Sequence, residues 1–157
     1  MPRRYKSPDR FLQGDPRYGS KLVTKFVNCL MHEGKKSKAF KIFYAAMDEV
    51  DRRIKDNEPL EVFNRAVNNV KPLIEVASKR VGGATYQVPR EVEKKRALAL
   101  AIRWILNAVR DKKGKPTYLR LADEICAAYR KEGAAITKRE TVHKMAEANK
   151  AFSHFSW

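Results

Sequence analysis

The chain has 157 residues, of which 43% are hydrophobic, so it can form one domain with a buried core and is not globally disordered. It carries 34 Lys and Arg against 18 Asp and Glu, which gives a net charge of +16 and a pI near 10.0. Self-repulsion of this size destabilises an isolated compact protein, so the charge indicates a polyanionic partner.

The charge is distributed unevenly along the chain. Residues 1–25 carry a net charge of +5, 26–70 of +1, 71–103 of +5 and 110–120 of +4. A generic solvated surface is the alternative interpretation, but such a surface needs no bias of sign. The pattern favours one or two basic faces.

The first 19 residues are predicted to form an irregular basic arm, because proline and glycine interrupt them repeatedly. Their basic residues are Arg3, Arg4, Lys6, Arg10 and Arg17. A disordered tail without a role is the alternative. The aromatic residues Tyr5, Phe11 and Tyr18 favour a binding role, since aromatic rings among basic residues can stack on bases.

Three helices should follow the arm. The first is predicted from about Ser20, a favourable N-cap, to about His32, with an apolar stripe that includes Cys29 and a second face that carries Lys21 and Lys25. The second covers roughly 37–54. The third starts near Pro59 and ends before Pro72.

A β-hairpin is predicted at about 73–89, where two short runs with strand character flank a basic turn. The turn has the sequence Lys79-Arg80-Val81-Gly82-Gly83, and Pro89 should close the hairpin. Glycines at the tip allow positive φ angles and a close approach of a ligand to the backbone.

Three more helices complete the domain. The fourth, at about 91–110, should bury one side and expose a stripe formed by Arg96, Arg103, Asn107 and Arg110. Pro116 should open the fifth helix, and the sequence from Thr137 to Glu140 has the form of a capping box for a sixth helix that ends near Lys150. We therefore expect a mainly α, single-domain bundle over 20–150 with one protruding hairpin, followed by a tail at 151–157.

Enzyme and metal-site motifs are absent from the sequence. It contains no GxSxG, HExxH, GxxxxGK[ST] or CxxC, and its three histidines are widely dispersed. Cys29 and Cys126 are expected to be buried, reduced thiols of a cytosolic protein. No run of 18 apolar residues or apolar signal region is present, so we expect neither a secreted nor a membrane protein. The expectation is a non-enzymatic protein without a cofactor.

The basic residues occur on an arm, a helix face, a hairpin and an arginine stripe, with no single recognition helix. This distribution suits a folded RNA whose backbones lie at different heights better than one straight duplex groove. An architectural DNA-binding protein and a nuclease remain as alternatives.

Four strings resemble the signature regions of the small-subunit ribosomal protein seven family, bacterial type. They are YGSKLVTKFVNCLMHEGKKSKA at 18–39, SKRVGGATYQVPREV at 78–92, RWI at 103–105 and HKMAEANKAF at 143–152. The resemblance covers essentially the whole chain in order. It implies a six-helix bundle with one hairpin that binds the head (3′ major) domain of small-subunit ribosomal RNA and nucleates assembly of the head in the cytoplasmic ribosome.

The resemblance also implies site residues. The residues expected to contact ribosomal RNA, from the resemblance and from the basic arm and the arginine stripe, are Arg3, Arg4, Tyr5, Lys6, Arg10, Arg17, Lys21, Lys25, Lys35, Lys36, Lys79, Arg90, Lys94, Lys95, Arg96, Arg103 and Arg110. Those expected along the channel of exit-site transfer RNA and messenger RNA are Arg80, Val81, Gly82, Gly83, Ala84, His143, Lys144 and Lys150.

The implied protein partners are the ninth and eleventh ribosomal proteins of the small subunit, and the chain's own operon messenger RNA is a further implied partner. At the C-terminus the sequence departs from the family pattern, because Ser156 stands where the family commonly has a basic residue and Phe155 where tyrosine is common. We therefore expect weaker tail contacts to transfer RNA there.

Overall fold

The computed structural model describes residues 11–155, and that range contains six α-helices, one two-stranded antiparallel sheet and a C-terminal 3₁₀ helix. The elements in chain order are α1 (Lys21–Leu30), α2 (Lys36–Arg53), α3 (Pro59–Val70), β1 (Ile74–Val81), β2 (Ala84–Glu91), α4 (Lys94–Asp111), α5 (Thr117–Tyr129), α6 (Ala134–Ala148) and the 3₁₀ helix (Lys150–Phe155). The predicted mainly α fold with one hairpin is confirmed.

The core is centred on three phenylalanines, one from each of the first three helices. Phe26, Phe43 and Phe63 are fully buried, and their ring centroids lie 5.2–5.7 Å apart, two of the three pairs being edge-to-face. Such pairs contribute about 0.5–1.5 kcal/mol beyond their area burial. Leu121 and Ile125 of α5 join the same core.

The first helix begins as predicted, because the Ser20 hydroxyl accepts a hydrogen bond from the Val23 amide at 3.5 Å. The prediction that Cys29 is buried was wrong. The apolar face of α1 includes Val23 and Val27, and Cys29 lies beside that face and is exposed. Cys126, in contrast, is buried. Burial raises the pKa of the Cys126 thiol, so the reactive free thiol of the described chain is Cys29.

The hairpin turns at Gly82 and Gly83, whose φ angles are +57° and +88°. Two consecutive positive φ angles fit the tight turns that match the twist of paired strands. The pairing places Val76 opposite Pro89 and Ile74 opposite Glu91, so Pro89 lies inside β2 and does not close the hairpin as predicted. A two-stranded sheet has an open edge on each strand, where a residue without an N–H is tolerated.

The sixth helix starts three residues before the predicted capping box. Its N-cap is Gly133, with φ +95°, and Thr137 lies inside the helix. The fully buried Glu124 carboxylate of α5 accepts a hydrogen bond from the Ala135 amide at 2.9 Å and contacts Lys112 Nζ at 2.6 Å. A carboxylate from another helix therefore replaces the local cap.

The hairpin is attached to the body by α6 and by the C-terminal 3₁₀ helix. At its base, the Leu73 amide donates to His143 Nε2 at 3.1 Å. Farther out, the Tyr86 ring packs on Phe152 and Phe155 at centroid distances of 5.3 and 5.2 Å. No helix within residues 11–155 is long and apolar enough to cross a membrane.

Candidate nucleic-acid interface

A basic groove lies between α1 and α4. Lys25 and Cys29 line one side, Arg103 and Arg110 the other, and the groove has a volume of about 330 Å³. Arg110 Nη2 donates to the Cys29 carbonyl oxygen at 3.1 Å, which ties the end of α4 to the end of α1. The cationic walls suit phosphate, and the partly apolar floor suits a base or a sugar.

The stripe on α4 continues from this groove to the hairpin. Arg96, Arg103 and Arg110 are all exposed, and each is seven residues, about two helical turns, from the next. They therefore lie close to one line along α4, at intervals of about 10 Å. The predicted exposed arginine stripe is confirmed.

At the base of the hairpin, two of the predicted RNA-binding arginines share one carboxylate. Glu75 is directly opposite Arg90 in the pairing of the strands and is only 7% exposed. Its Oε1 accepts from Arg90 Nε and from Arg96 Nε, both at 2.7 Å. The guanidinium side chains of Arg90 and Arg96 remain about half exposed, so this cluster is on the surface.

Ionisation of the Glu75 carboxyl is governed by two opposing effects. Burial opposes the charged form, but the hydrogen bonds from Arg96 and Arg90 outweigh it and hold the pKa of Glu75 below its ordinary value. The carboxylate is therefore ionised at neutral pH, and it forms an ion-pair cluster with both arginines.

The described part of the N-terminal arm is anchored to the body through Asp15. This buried carboxylate accepts hydrogen bonds from the amides of Tyr18 and Ser20 at 3.0 and 2.8 Å and from the Tyr44 hydroxyl at 3.0 Å. Arg17, predicted at RNA, forms an ion pair with Asp48 at 2.7 Å. Residues 15–20 are thus fixed beside α2.

The hairpin tip is open to solvent. Arg80, Gly82, Gly83 and Ala84 are exposed and Val81 is partly exposed, and a Cβ added at either glycine would meet no atom within 4 Å. Lys79 lies lower on the hairpin and donates from Nζ to the Phe155 carbonyl oxygen at 2.9 Å. The tail and the outer hairpin therefore form one surface.

Among the residues predicted at the exit-site channel, His143 has a structural contact. Its ring is partly buried and accepts the hydrogen bond from Leu73, and burial together with Arg139 lowers its pKa. Lys144 and Lys150 are exposed. His143 therefore supports the hairpin, while Lys144 on α6 and Lys150 at the start of the 3₁₀ helix expose their side chains to solvent.

The remaining predicted lysines lie at helix starts. Lys21, Lys94 and Lys95 are exposed in the first turns of α1 and α4. Lys35 pairs with Glu33, and the Lys36 ammonium lies 5.7 Å from the centre of the Phe40 ring. The predicted residues Arg3, Arg4, Tyr5, Lys6 and Arg10, and the tail position Ser156, lie outside the described residues.

Sequence reasoning missed the acidic partners of this surface, Glu75, Asp15 and Asp48. Only the pairing of Glu75 could have been predicted from the sequence, because a two-residue turn at Gly82 and Gly83 places Glu75 opposite Arg90. Within residues 11–155, no group of three or more His, Cys, Asp or Glu side chains is arranged to hold a metal ion. The geometry supports binding of a polyanion.

Comparison with known proteins finds relatives over nearly the whole chain. A family model described as ribosomal protein S7p/S5e matches residues 2–150. The small ribosomal subunit protein uS7 of Rhodopirellula baltica is 60% identical over 147 residues, which cover 93% of this chain and 94% of the relative. The uS7 proteins of Nitratiruptor sp. and Pelagibacter ubique are 53% and 50% identical, over 99% and 100% of both chains.

Proposed function

The chain belongs to the ribosomal protein S7p/S5e family and is a structural, non-enzymatic protein of the small ribosomal subunit, and we propose that it binds the head domain of the small-subunit ribosomal RNA and nucleates assembly of the head. In this proposal the α1–α4 groove, the arginine stripe and the base of the hairpin contact the RNA. The N-terminal arm extends the same contact.

The observation that carries the proposal is the line of arginines on α4. Arg96 joins it to the hairpin cluster, and Arg110 joins it to the α1 end of the groove. Two separate basic sites thereby become one extended surface about 20 Å long. A surface of this length, without an inserted recognition helix, fits the backbones of a folded RNA.

We assign a different role to the outer hairpin and the tail. The exposed Gly82-Gly83 tip has no side chains that would exclude a nucleic-acid strand, Arg80 supplies charge beside it, and Lys144 and Lys150 supply charge on α6 and the tail. These features support contact of the outer hairpin and the tail with exit-site transfer RNA and messenger RNA. Contacts with the ninth and eleventh small-subunit proteins, and binding of the operon messenger RNA, remain predictions.

The head-domain assignment is tested by filter binding to a head-domain RNA fragment over a series of salt concentrations. The matched variants are Arg103→Gln/Arg110→Gln in the groove and Arg52→Gln/Arg65→Gln, two exposed arginines on α2 and α3. The groove variant should reduce the slope of log K against log salt by about 0.7–0.9 per lost phosphate contact, and the control should leave it unchanged.

Two results would reject the head-domain proposal. Equal loss of slope in both variants would mean that net charge alone matters. Affinity for a matched DNA duplex equal to that for the RNA fragment would favour an architectural DNA-binding protein.

The channel assignment is tested by deleting residues 80–84. Because the tip residues are exposed and do not line the α1–α4 groove, reconstituted heads should assemble nearly normally while exit-site transfer RNA binding changes. Loss of head-domain RNA binding by the tip deletion would refute this division of roles.

A further inference from the structure

Glu75 is an unexpected residue in a surface that binds a polyanion. It places a negative charge between two arginines, and it is 7% exposed, so burial opposes its charged form. A neutral residue at this position would leave the surface more positive. Glu75 therefore lowers the general attraction for phosphate.

Attachment of the hairpin does not depend on this carboxylate alone. His143 already holds the base of the hairpin through Leu73, and Tyr86 packs its outer part against the C-terminal 3₁₀ helix. The carboxylate contacts both arginines, one from β2 and one from the first turn of α4, so it links the hairpin to α4 and also holds the two side chains.

The contacts use one side of each guanidinium. Arg90 donates from Nε to Glu75 Oε1 at 2.7 Å, with its Nη2 in ion-pair contact with the same oxygen at 2.5 Å, whereas Arg96 donates from Nε to both carboxylate oxygens at 2.7 and 2.9 Å. Nη1 of Arg90 and both Nη atoms of Arg96 donate to no acceptor among the described residues, and both side chains are about half exposed. Because a guanidinium is planar, fixing one edge fixes the direction of the remaining donors.

We propose that Glu75 is a positioning residue that determines RNA specificity. It keeps Arg90 and Arg96 from binding phosphates in arbitrary positions. It also holds the remaining donors of both arginines at one fixed spacing, which the phosphates of the correct RNA backbone match. This rests on the proposed RNA-binding function. An RNA whose phosphates match that spacing binds with the side chains already ordered, while a flexible polyanion meets arginines whose inner edges are occupied.

The test compares two ligands, the head-domain RNA fragment and poly(U), with the variant Glu75→Gln. The neutral amide keeps one oxygen acceptor but loses both ion pairs, so the weaker hold on the two guanidiniums should tighten poly(U) binding by about fivefold or more at 0.1 M salt and steepen its salt slope by up to about 1.4, at about 0.7 per contact. Affinity for the head-domain fragment should fall by about tenfold, because two long side chains must then be ordered on binding.

Glu91→Gln is the matched control, since it makes the same charge change at an exposed position of the same hairpin. It should change both affinities by less than about twofold. Glu75→Gln/Arg90→Gln/Arg96→Gln removes the released cations as well, and its poly(U) affinity should fall to the wild-type value or below. Far-UV circular dichroism and thermal melting confirm that each variant is folded.

The outcomes separate this inference from the proposed function. If wild-type protein does not prefer the head-domain fragment to poly(U), the proposed function fails. If wild type discriminates but Glu75→Gln weakens or strengthens both ligands equally, the specificity role is overturned and Glu75 is a stabilising or purely electrostatic residue. An unfolded Glu75→Gln protein also overturns it, because the carboxylate is then required by the fold.

Discussion

Removal of the Glu124 carboxylate should destabilise the domain by loss of an interaction between helices. In Glu124→Ala, the Ala135 amide at the start of α6 loses its acceptor inside the protein, which costs about 1–3 kcal/mol. The ion pair with the half-exposed Lys112 contributes about 1 kcal/mol after solvent screening. The free energy of unfolding should therefore fall by about 3 kcal/mol, with a fall in Tm of about 10 °C.

Urea denaturation followed by circular dichroism measures this loss. Glu124→Gln keeps an oxygen acceptor for the Ala135 amide and removes only the charge, so it should cost about 1 kcal/mol. Glu132→Ala is the control, because Glu132 is exposed, and its effect should stay within about 0.5 kcal/mol.

The reasoning would be refuted if Glu124→Ala behaved like Glu132→Ala. Equal losses in Glu124→Ala and Glu124→Gln would show that the charge, and not the cap, is the main contribution. In that case the early start of α6 would need another cause.

Two further outcomes follow from the attachments of the hairpin. Burial, aided by Arg139, lowers the pKa of folded His143, so its contribution to stability is present above the unfolded pKa of about 6.5 and is lost as pH falls through the folded pKa. His143→Gln, which keeps an acceptor for Leu73, should reduce the drop in the free energy of unfolding between pH 8 and pH 5; an unchanged drop would contradict this. Phe152→Ala/Phe155→Ala removes both rings that pack on Tyr86, so amide hydrogen exchange should accelerate in the outer hairpin but not in α5. Equal protection in both proteins would show that the tail does not support the hairpin.

Local chemistry predicted most of the fold. Ser20 and Pro59 mark the starts of α1 and α3, and Gly82 marks the tip of the hairpin, because caps and tight turns depend on residues next to each other in sequence. The exposed arginines of α4 followed from helical periodicity alone. These features need no knowledge of tertiary contacts.

The errors occurred where distant residues decide the structure. Thr137 resembles a cap, but Glu124 from α5 stabilises an earlier start of α6. Cys29 lies in an apolar string, yet the rotation of α1 depends on how Val23 and Val27 pack in the core. A helical pattern defines a face only to within about one residue, and partners determine the rest.

In the candidate site, too, local features were predicted and contacts between distant residues were not. The basic residues were visible in the sequence, but the carboxylates that occupy some of them were not. Arg17 pairs with Asp48, and Arg96 reaches Glu75 across 21 positions of the chain. Counting positive charge therefore indicated a candidate basic surface but not the arrangement of its donors.

The most direct test of RNA binding by this surface uses the exposed Cys29, which lines the α1–α4 groove, while Cys126 is buried. An iron chelate attached to Cys29 generates hydroxyl radicals that cleave nearby RNA in a complex with full-length small-subunit ribosomal RNA. The comparison is Cys29→Ser/Arg65→Cys, with the chelate on the exposed side of α3. We predict strong cleavage confined to the head domain from Cys29 and weaker cleavage from position 65. Equal cleavage from both positions, or cleavage spread over other RNA domains, would contradict the proposed interface.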